Sequence, residues 1–422
     1  MNKLRKNHIV VFEHEKLRIS EEFDKEKLSA LQKYYGSTGV PYYSLIHNGV
    51  KFCSYVGVIQ VGNLIIEVLP KADKNVETDS VKWRNILIDM VRTVHKFDVQ
   101  ATSQSHLKIR PNTILDLYIE IFIREIEYLI RNGLIKQYRK ETGNVSALKG
   151  NLHFSRHIQE NLIHQERFFV RHSTYDVHHL LHEILYQAIT LIKNINTNIS
   201  LISRINALLL DFPEMSYKKI TEASFKRIVF NRKNEAYRKS FEIAKFLLLQ
   251  FHPDISMGNN HVLALMFDMN SLWEKFIYIS LKKHLKTDEA AIRVQAQNSI
   301  NFWEHEKGSI TKVRPDILVS ISKNKQYIID TKWKNLNGNN PTVEDLRQMY
   351  VYHEYFNAEK VALLYPNDVF PTAEVVKGKY SKKKHDVVEN LMECSIMPIS
   401  VKKDVREWQK SIGSTVYEWV EM

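Results

Sequence analysis

Two apolar runs, Ile317-Leu318-Val319 and Tyr327-Ile328-Ile329, flank the short polar segment Ser322-Lys323-Asn324-Lys325. Short polar connections of this kind join antiparallel strands, so the pattern predicts a hairpin. Polar residues mark its open end: Arg314-Pro315-Asp316 opens the first run and Asp330-Thr331-Lys332 closes the second. Residues two apart on a strand share a face, so Asp330 and Lys332 point the same way. Asp316, near the open end of the partner strand, can reach the same spot. The expected result is two carboxylates and one ammonium gathered where the hairpin opens.

Those groups suit phosphodiester hydrolysis. Two carboxylates can hold Mg²⁺ and leave water on its other positions. The metal would polarise the phosphate and lower the pKa of a bound water. A lysine beside that water can orient it, or take its proton if its own pKa is depressed. Asp330-Thr331-Lys332 is the only Asp/Glu-x-Lys triplet in the chain. A lone triplet would read as a solvated Asp–Lys pair on an edge strand. Pro315-Asp316 on the preceding strand, the apolar run before Asp330 and the short connection favour a site.

The chain has 422 residues, too long for one ordinary domain. Its pattern changes twice. Residues 1–100 are expected to form a β-containing N-terminal domain. In it, Tyr55-Val56-Gly57-Val58-Ile59-Gln60-Val61 and Leu64-Ile65-Ile66-Glu67-Val68-Leu69-Pro70 read as strands joined by the turn pair Gly62-Asn63, and a helix follows over about 81–94. Residues 101–255 read as mainly helical: 114–132, then about 176–195, 198–210 and 232–251, interrupted by a basic hairpin or arm at 138–156. Residues 256–422 switch to α/β, with a helix near 269–285, strands near 310–321, 326–332 and 360–365, and a helix near 342–356 between the last two. The fold class expected is therefore mixed α/β and multidomain.

Charge and composition narrow the partners. A net charge of +12 favours polyanions, nucleic acid first. No apolar run is long enough to cross a membrane, no secretory leader is expected, and Cys53 and Cys394 are too few for a disulfide framework, so a cytoplasmic setting fits. His178 and His182 are four apart on an expected helix, but His-Glu-x-x-His is absent and no third ligand is apparent. The Gly-x-x-x-x-Gly-Lys-[Ser/Thr] loop of nucleotide-binding proteins is absent too. Lys149 and Arg156 in the basic arm, and the cluster Lys377, Lys379, Lys382, Lys383 and Lys384, can grip phosphates or stand as solvated surface.

Pro315-Asp316 followed by Asp330-Thr331-Lys332 resembles the PD-(D/E)xK nuclease signature. Two flanking elements match the same superfamily. Glu274, on Ser271-Leu272-Trp273-Glu274-Lys275-Phe276, stands where these nucleases often place a further acid near the metal. Gln348 and Tyr352 resemble the Gln-x-x-x-Tyr element of the RecB-like branch, and at four apart they share a helix face. The N-terminal runs at 57–61 and 66–71, the stretch Gly133-Leu134 through Leu152, and Asp268-Met269-Asn270 leading into the Glu274 helix are similar to the McrC family, the nuclease subunit of McrBC-type modification-dependent restriction systems. The resemblance implies a restriction-endonuclease-like core at the C-terminus. In it Asp316, Asp330 and Glu274 hold Mg²⁺, Lys332 positions water, and Gln348 and Tyr352 support the site or touch DNA. It implies a separate McrB-like AAA+ GTPase hexamer that binds GTP, reads the modified DNA and docks on the region before about residue 100, including the hairpin from Tyr55 to Pro70. Two other readings stand beside it: a stand-alone RecB-like repair nuclease, and a nuclease fold serving only as a DNA-binding scaffold.

Overall fold

The computed structural model describes residues 8–71, 79–94, 113–252, 261–285, 292–306, 308–321, 325–334, 336, 340–367, 374–380 and 392–421. They cluster into two compact units. One is drawn from Met1–Ile59, Leu64–Ser105 and Met266–Met422, and the other from Gln60–Asn63 and His106–Leu265. Among the described residues no helix is long and apolar enough to cross a membrane.

The first unit is built round a six-stranded sheet. Its order is Ile292–Ala296, Ile317–Ile321, Lys325–Thr331, Lys360–Asn367, Glu393–Ser400 and Val376–Lys379. The expected hairpin is present, antiparallel, with Ile317 opposite Ile329 and Ile321 opposite Lys325. Lys325–Thr331 then pairs in parallel with Lys360–Asn367, a connection that needs a crossover, and the helix Val343–Tyr355 supplies it. Thr342 starts that helix by accepting from Asp345 N at 3.2 Å.

The two-residue period sorts the second hairpin strand. Ile328 packs with Leu318, Met349, Tyr352 and Phe356 beneath the crossover helix. The alternate residues face other aromatic groups: Tyr327 meets Trp419 with ring centroids 5.8 Å apart, and Trp333, just past the strand, meets Trp273 at 5.3 Å. Asp330 and Lys332, in phase with Ile328, are therefore committed to the helix Val343–Tyr355.

One expectation needs correction. The run 310–321 is two strands in two different sheets, Ile310–Val313 and Ile317–Ile321. The break falls on Arg314-Pro315-Asp316, where Pro315 has no N–H to donate to a ladder. Ile310–Val313 instead forms a separate ribbon with Ile300–Glu304.

The same unit holds N-terminal elements. His8–Phe12 pairs in parallel with Leu64–Leu69, whose neighbour is Tyr55–Val61. All of Leu64–Leu69, and all of Tyr55–Val61 except Tyr55, is buried. The helix expected near 81–94 runs Ser80–Val94, and its Trp83 meets Trp333 at 6.2 Å. Glu13 is 2% exposed and accepts from Trp333 Nε1 and from Lys71 N, both at 2.7 Å.

The second unit is mainly helical, with Ile114–Arg131, Leu180–Ile195, Ile199–Asp211 and Arg238–Gln250 as its longer helices. Thr113 caps the first by accepting from Asp116 N, and Gly133 follows its end with φ of 83°, a conformation glycine adopts without strain. The basic arm consists of the strand Gln137–Val145, the two-residue strand Asn151–Leu152 and the helix Phe154–Asn161. The strand Phe168–Asp176, not expected from the sequence, pairs with Gln137–Val145 along its whole length. Arg156 lies 5.5 Å from the centre of the Phe169 ring. Lys377 and Lys379 sit on the exposed strand Val376–Lys379, whereas Lys382, Lys383 and Lys384 lie outside the described residues.

Candidate active site

Asp330 is the penultimate residue of its strand and is 2% exposed. Its Oδ2 lies 2.8 Å from Lys332 Nζ, within ion-pair reach but without the alignment of a hydrogen bond. Its Oδ1 accepts a long bond, 3.4 Å, from Gln348 Nε2. Asp316 reaches the site through the hairpin's open end. Its Oδ2 accepts from Thr331 N at 2.7 Å and from Thr331 Oγ1 at 2.8 Å. Thr331 therefore clamps one acid to the strand that carries the other.

Gln348 is the hub. It accepts from Lys332 Nζ at 3.0 Å, and its Nε2 donates to Tyr352 OH at 2.7 Å. Tyr352 OH donates in turn to Arg314 O at 2.9 Å, tying the crossover helix to the residue before Pro315. The four-residue spacing of Gln348 and Tyr352 becomes a direct contact on one helix face.

The electrostatics follow from this crowding. Burial, and then the charge of Asp316, hold the Asp330 carboxyl above the usual range, with Lys332 pulling the other way. Burial works against the Lys332 ammonium, but Asp330, Asp345 and Asp316 outweigh it and hold its pKa above the ordinary lysine value. Lys332 is thus a cationic donor, not a depressed base.

The structure brings Asp316, Asp330, Lys332, Gln348 and Tyr352 together. Glu274 stands beside them: its Oε1 accepts from Gln297 Nε2 at 2.8 Å, and Gln297 N donates to Asp316 O at 3.0 Å. Burial, with a smaller push from Asp316, raises the Glu274 pKa against the pull of the Gln297 bond. Asp345 was missed in the sequence. It ion-pairs Lys332 at 3.5 Å and Lys334 at 2.6 Å. Thr342-Val343-Glu344-Asp345 reads as a helix start, which placed the residue at a helix end without showing what it would face. Thr331 and Gln297 carried no signal of their own.

Among the described residues no three His, Cys, Asp or Glu side chains form a metal-holding group. A caged structural metal therefore does not fit here. A hard cation held by one or two carboxylates does. The buried Asp330 carboxylate, repelled by the half-buried Asp316 and with one oxygen lacking an aligned donor, is the environment such a cation would relieve. His182 belongs to a different setting: Nδ1 faces Val177 O at 2.7 Å and Nε2 faces Tyr237 OH at 3.2 Å, so both nitrogens have neutral partners.

The family described as McrBC 5-methylcytosine restriction system component matches residues 50–366. No curated protein matches the chain. A chain of the refined half-complex from the tetradecameric assembly of Thermococcus gammatolerans McrB AAA+ hexamers with bound McrC is similar in fold. Its TM-score is 0.70 at 20% identity, covering 98% of this chain and 100% of that one. A second chain, from the cryo-EM structure of the Thermococcus gammatolerans McrBC complex, gives a TM-score of 0.48 at 22% identity, over 66% of this chain and 88% of that one.

Proposed function

The chain belongs to the family of McrBC 5-methylcytosine restriction system components, and on that premise we propose that it is the Mg²⁺-dependent nuclease subunit of a modification-dependent restriction complex, cleaving DNA when driven by an AAA+ GTPase. The observation that carries this reading is the convergence of Asp316, Asp330 and Lys332 on one strand end, bridged by Gln348. In this reading the six-stranded unit is a PD-(D/E)xK core.

Asp316 and Asp330 would hold the cation, and Glu274 would add a third negative charge nearby. Bound there, Mg²⁺ supplies polarisation of the scissile phosphate and neutralises charge in the transition state. Lys332, fixed by Asp330, Gln348 and Asp345, would hold the attacking water by donating to it. Gln348 keeps Lys332 and Asp330 in mutual reach, and Tyr352 keeps Gln348 in place through Arg314 O. These roles are positional, so small displacements would be costly.

The Thermococcus gammatolerans assembly holds McrC bound to McrB AAA+ hexamers. A GTP-binding ring of that kind is the expected partner here, consistent with the absence of a phosphate-cradling loop in this sequence. We assign the contact to the region before residue 100. Because Tyr55–Val61 and Leu64–Leu69 are buried, it falls to the exposed side chains of the three-stranded sheet Lys16–Arg18, Gly49–Phe52 and Tyr43–Ile46. There Lys16 stands opposite Lys51, a like-charge pair that an acidic partner surface would relieve.

The test is reconstitution with the cognate motor, GTP and modified DNA. Cleavage should require all three and Mg²⁺; EDTA should abolish it, and Asp330→Asn should reduce it by roughly 10³-fold. Full cleavage by a folded Lys332→Ala protein would sink the role given to that lysine. Docking is tested by Lys16→Glu with Lys51→Glu, which should remove stimulation of the motor's GTP hydrolysis. Deleting residues 1–100 is a poor substitute, since it strips Glu13 and Trp83 from around Trp333.

A further inference from the structure

Beside the carboxylate pair, the ribbon Ile300–Glu304 with Ile310–Val313 and the helix Val343–Tyr355 flank a cavity of about 690 Å³. Phe302, Lys312, Arg314, Arg347, Gln348 and Tyr352 line it. The two elements touch where Phe302 meets Tyr355, ring centroids 5.0 Å apart.

Three of the lining residues are cations. Lys312, Arg314 and Arg347 are exposed, and among the described residues none lies within ion-pair distance of a carboxylate. Close by, by contrast, Lys332 and Lys334 share the Asp345 carboxylate. Arg314 also feels the Glu274 carboxylate, which leaves Lys312 and Arg347 as the charges with no acidic neighbour among the described residues; positive charges on one concave surface raise a field that concentrates polyanions. Phe302 adds the aromatic component. Strand pairing steps from Asn301 opposite Lys312 to Trp303 opposite Thr311, so Phe302 is the extra residue of a bulge, a device that re-aims a side chain beside a site. Its ring stays 39% exposed. Cations for phosphates with a ring for a sugar or base face is the composition that tracks a nucleic-acid strand.

The remaining wall joins the cavity to the chemistry. Gln348 lines it while also holding Lys332 and Asp330, and Tyr352 lines it while holding Arg314 O. We infer that this cavity is the channel for the DNA strand leading to the scissile phosphate, with Lys312, Arg314 and Arg347 on its backbone and Phe302 against a sugar or base. The inference deepens the nuclease reading and rests on it.

The experiment measures anisotropy of a fluorescein-labelled DNA duplex with the full chain, in EDTA so that no cleavage intervenes, across a salt series. Lys312→Ala with Arg347→Ala should weaken binding about tenfold or more and lower the slope of log affinity against log salt by roughly 2, about 0.9 for each phosphate left without its cation. Lys312→Arg with Arg347→Lys should keep most of that slope. Phe302→Ala should lower affinity and leave the slope unchanged. All the substituted side chains are exposed, and thermal denaturation of each variant should match the parent. Parent affinity and slope in the folded double-alanine protein would overturn the channel, whatever the parent's cleavage. A parent that never cleaves, with the slope change intact, would remove the nuclease reading and leave the channel standing.

Discussion

Asp330 in one unit and His182 in the other are both sealed from water, at 2% and 0% exposure, but their neighbours differ in kind. His182 meets a carbonyl and a hydroxyl, packs against His179 at 4.0 Å and Phe212 at 5.6 Å, and is held neutral. Burial, then His179, pushes its pKa down to about 3. Tyr237 extends the network by accepting from Ile135 N at 3.0 Å. Both hydrogen-bond partners of His182 are neutral, and both its ring nitrogens are engaged. Asp330 is surrounded by Asp316, Lys332 and Asp345, and one of its oxygens lacks an aligned donor. A neutral group with both its polar atoms engaged specifies packing, whereas a crowded and partly satisfied charged cluster is a candidate for chemistry. The two buried groups thus separate a structural polar core from a candidate reactive one.

The contrast can be broken most directly at Asp330. Asp330→Asn should reduce cleavage by roughly 10³-fold, in the range of lost acid–base and positioning groups, and raise the melting temperature, because it removes a buried carboxylate held above its usual pKa. A variant that cleaves normally, or melts lower than the parent, would put Asp330 in the same class as His182.

Glu13 sharpens the comparison within the first unit. Burial lifts its pKa from 4.5 to about 7 despite bonds from Lys71 and Trp333. Because the folded value is raised, the folded state binds the proton more tightly. The contribution is fully present below about pH 4.5 and is lost as pH rises through 7. Glu13→Gln, which keeps an acceptor, should be more stable than the parent by up to about 3 kcal/mol at pH 8 and nearly equal at pH 4.5. Urea denaturation at the two pH values reads the difference; equal gains at both would detach Glu13 from this account.

His182 responds with the opposite sign. Its folded pKa lies below the unfolded 6.5, so its contribution is complete above pH 6.5 and is lost as pH falls toward 3. The second unit should lose roughly 2 kcal/mol by pH 5, and His182→Phe should flatten that loss while weakening the unit at pH 7, where Val177 O and Tyr237 OH lose a partner. Hydrogen exchange at helix Leu180–Ile195 is the probe; protection unchanged between pH 7 and pH 5 would contradict it.

The smallest effect belongs to Tyr352→Phe. It removes one bond to Arg314 O and one from Gln348, worth about 1 kcal/mol each. Cleavage should fall several-fold at unchanged DNA affinity; an affinity loss of the same size would make Tyr352 a DNA contact instead.

Much of the site was legible because it rests on local periods. Asp330 and Lys332 are two apart on a strand, and Gln348 and Tyr352 four apart on a helix, so backbone geometry alone placed each pair on one face. The turn pair Gly62-Asn63 belongs to the same class. Pro315 was legible too, but its weight was underestimated: it ends one ribbon before the next strand begins. The strand Phe168–Asp176 escaped because its polar residues alternate around a long-range pairing with Gln137–Val145.

What the sequence by itself determined is which candidate residues share a face, because spacing along a helix or strand is fixed by the backbone. What only the tertiary structure decided is their surroundings. Thr331 fixes Asp316, Asp345 joins Lys332, Arg314 closes the Gln348–Tyr352 chain, and Glu13 meets Trp333 across 320 positions of sequence. Desolvation and charge proximity act through space and fall off within a few ångströms. Which groups are buried, which are paired and which cations are left unmatched therefore has no period in the sequence, and is set by how distant segments pack.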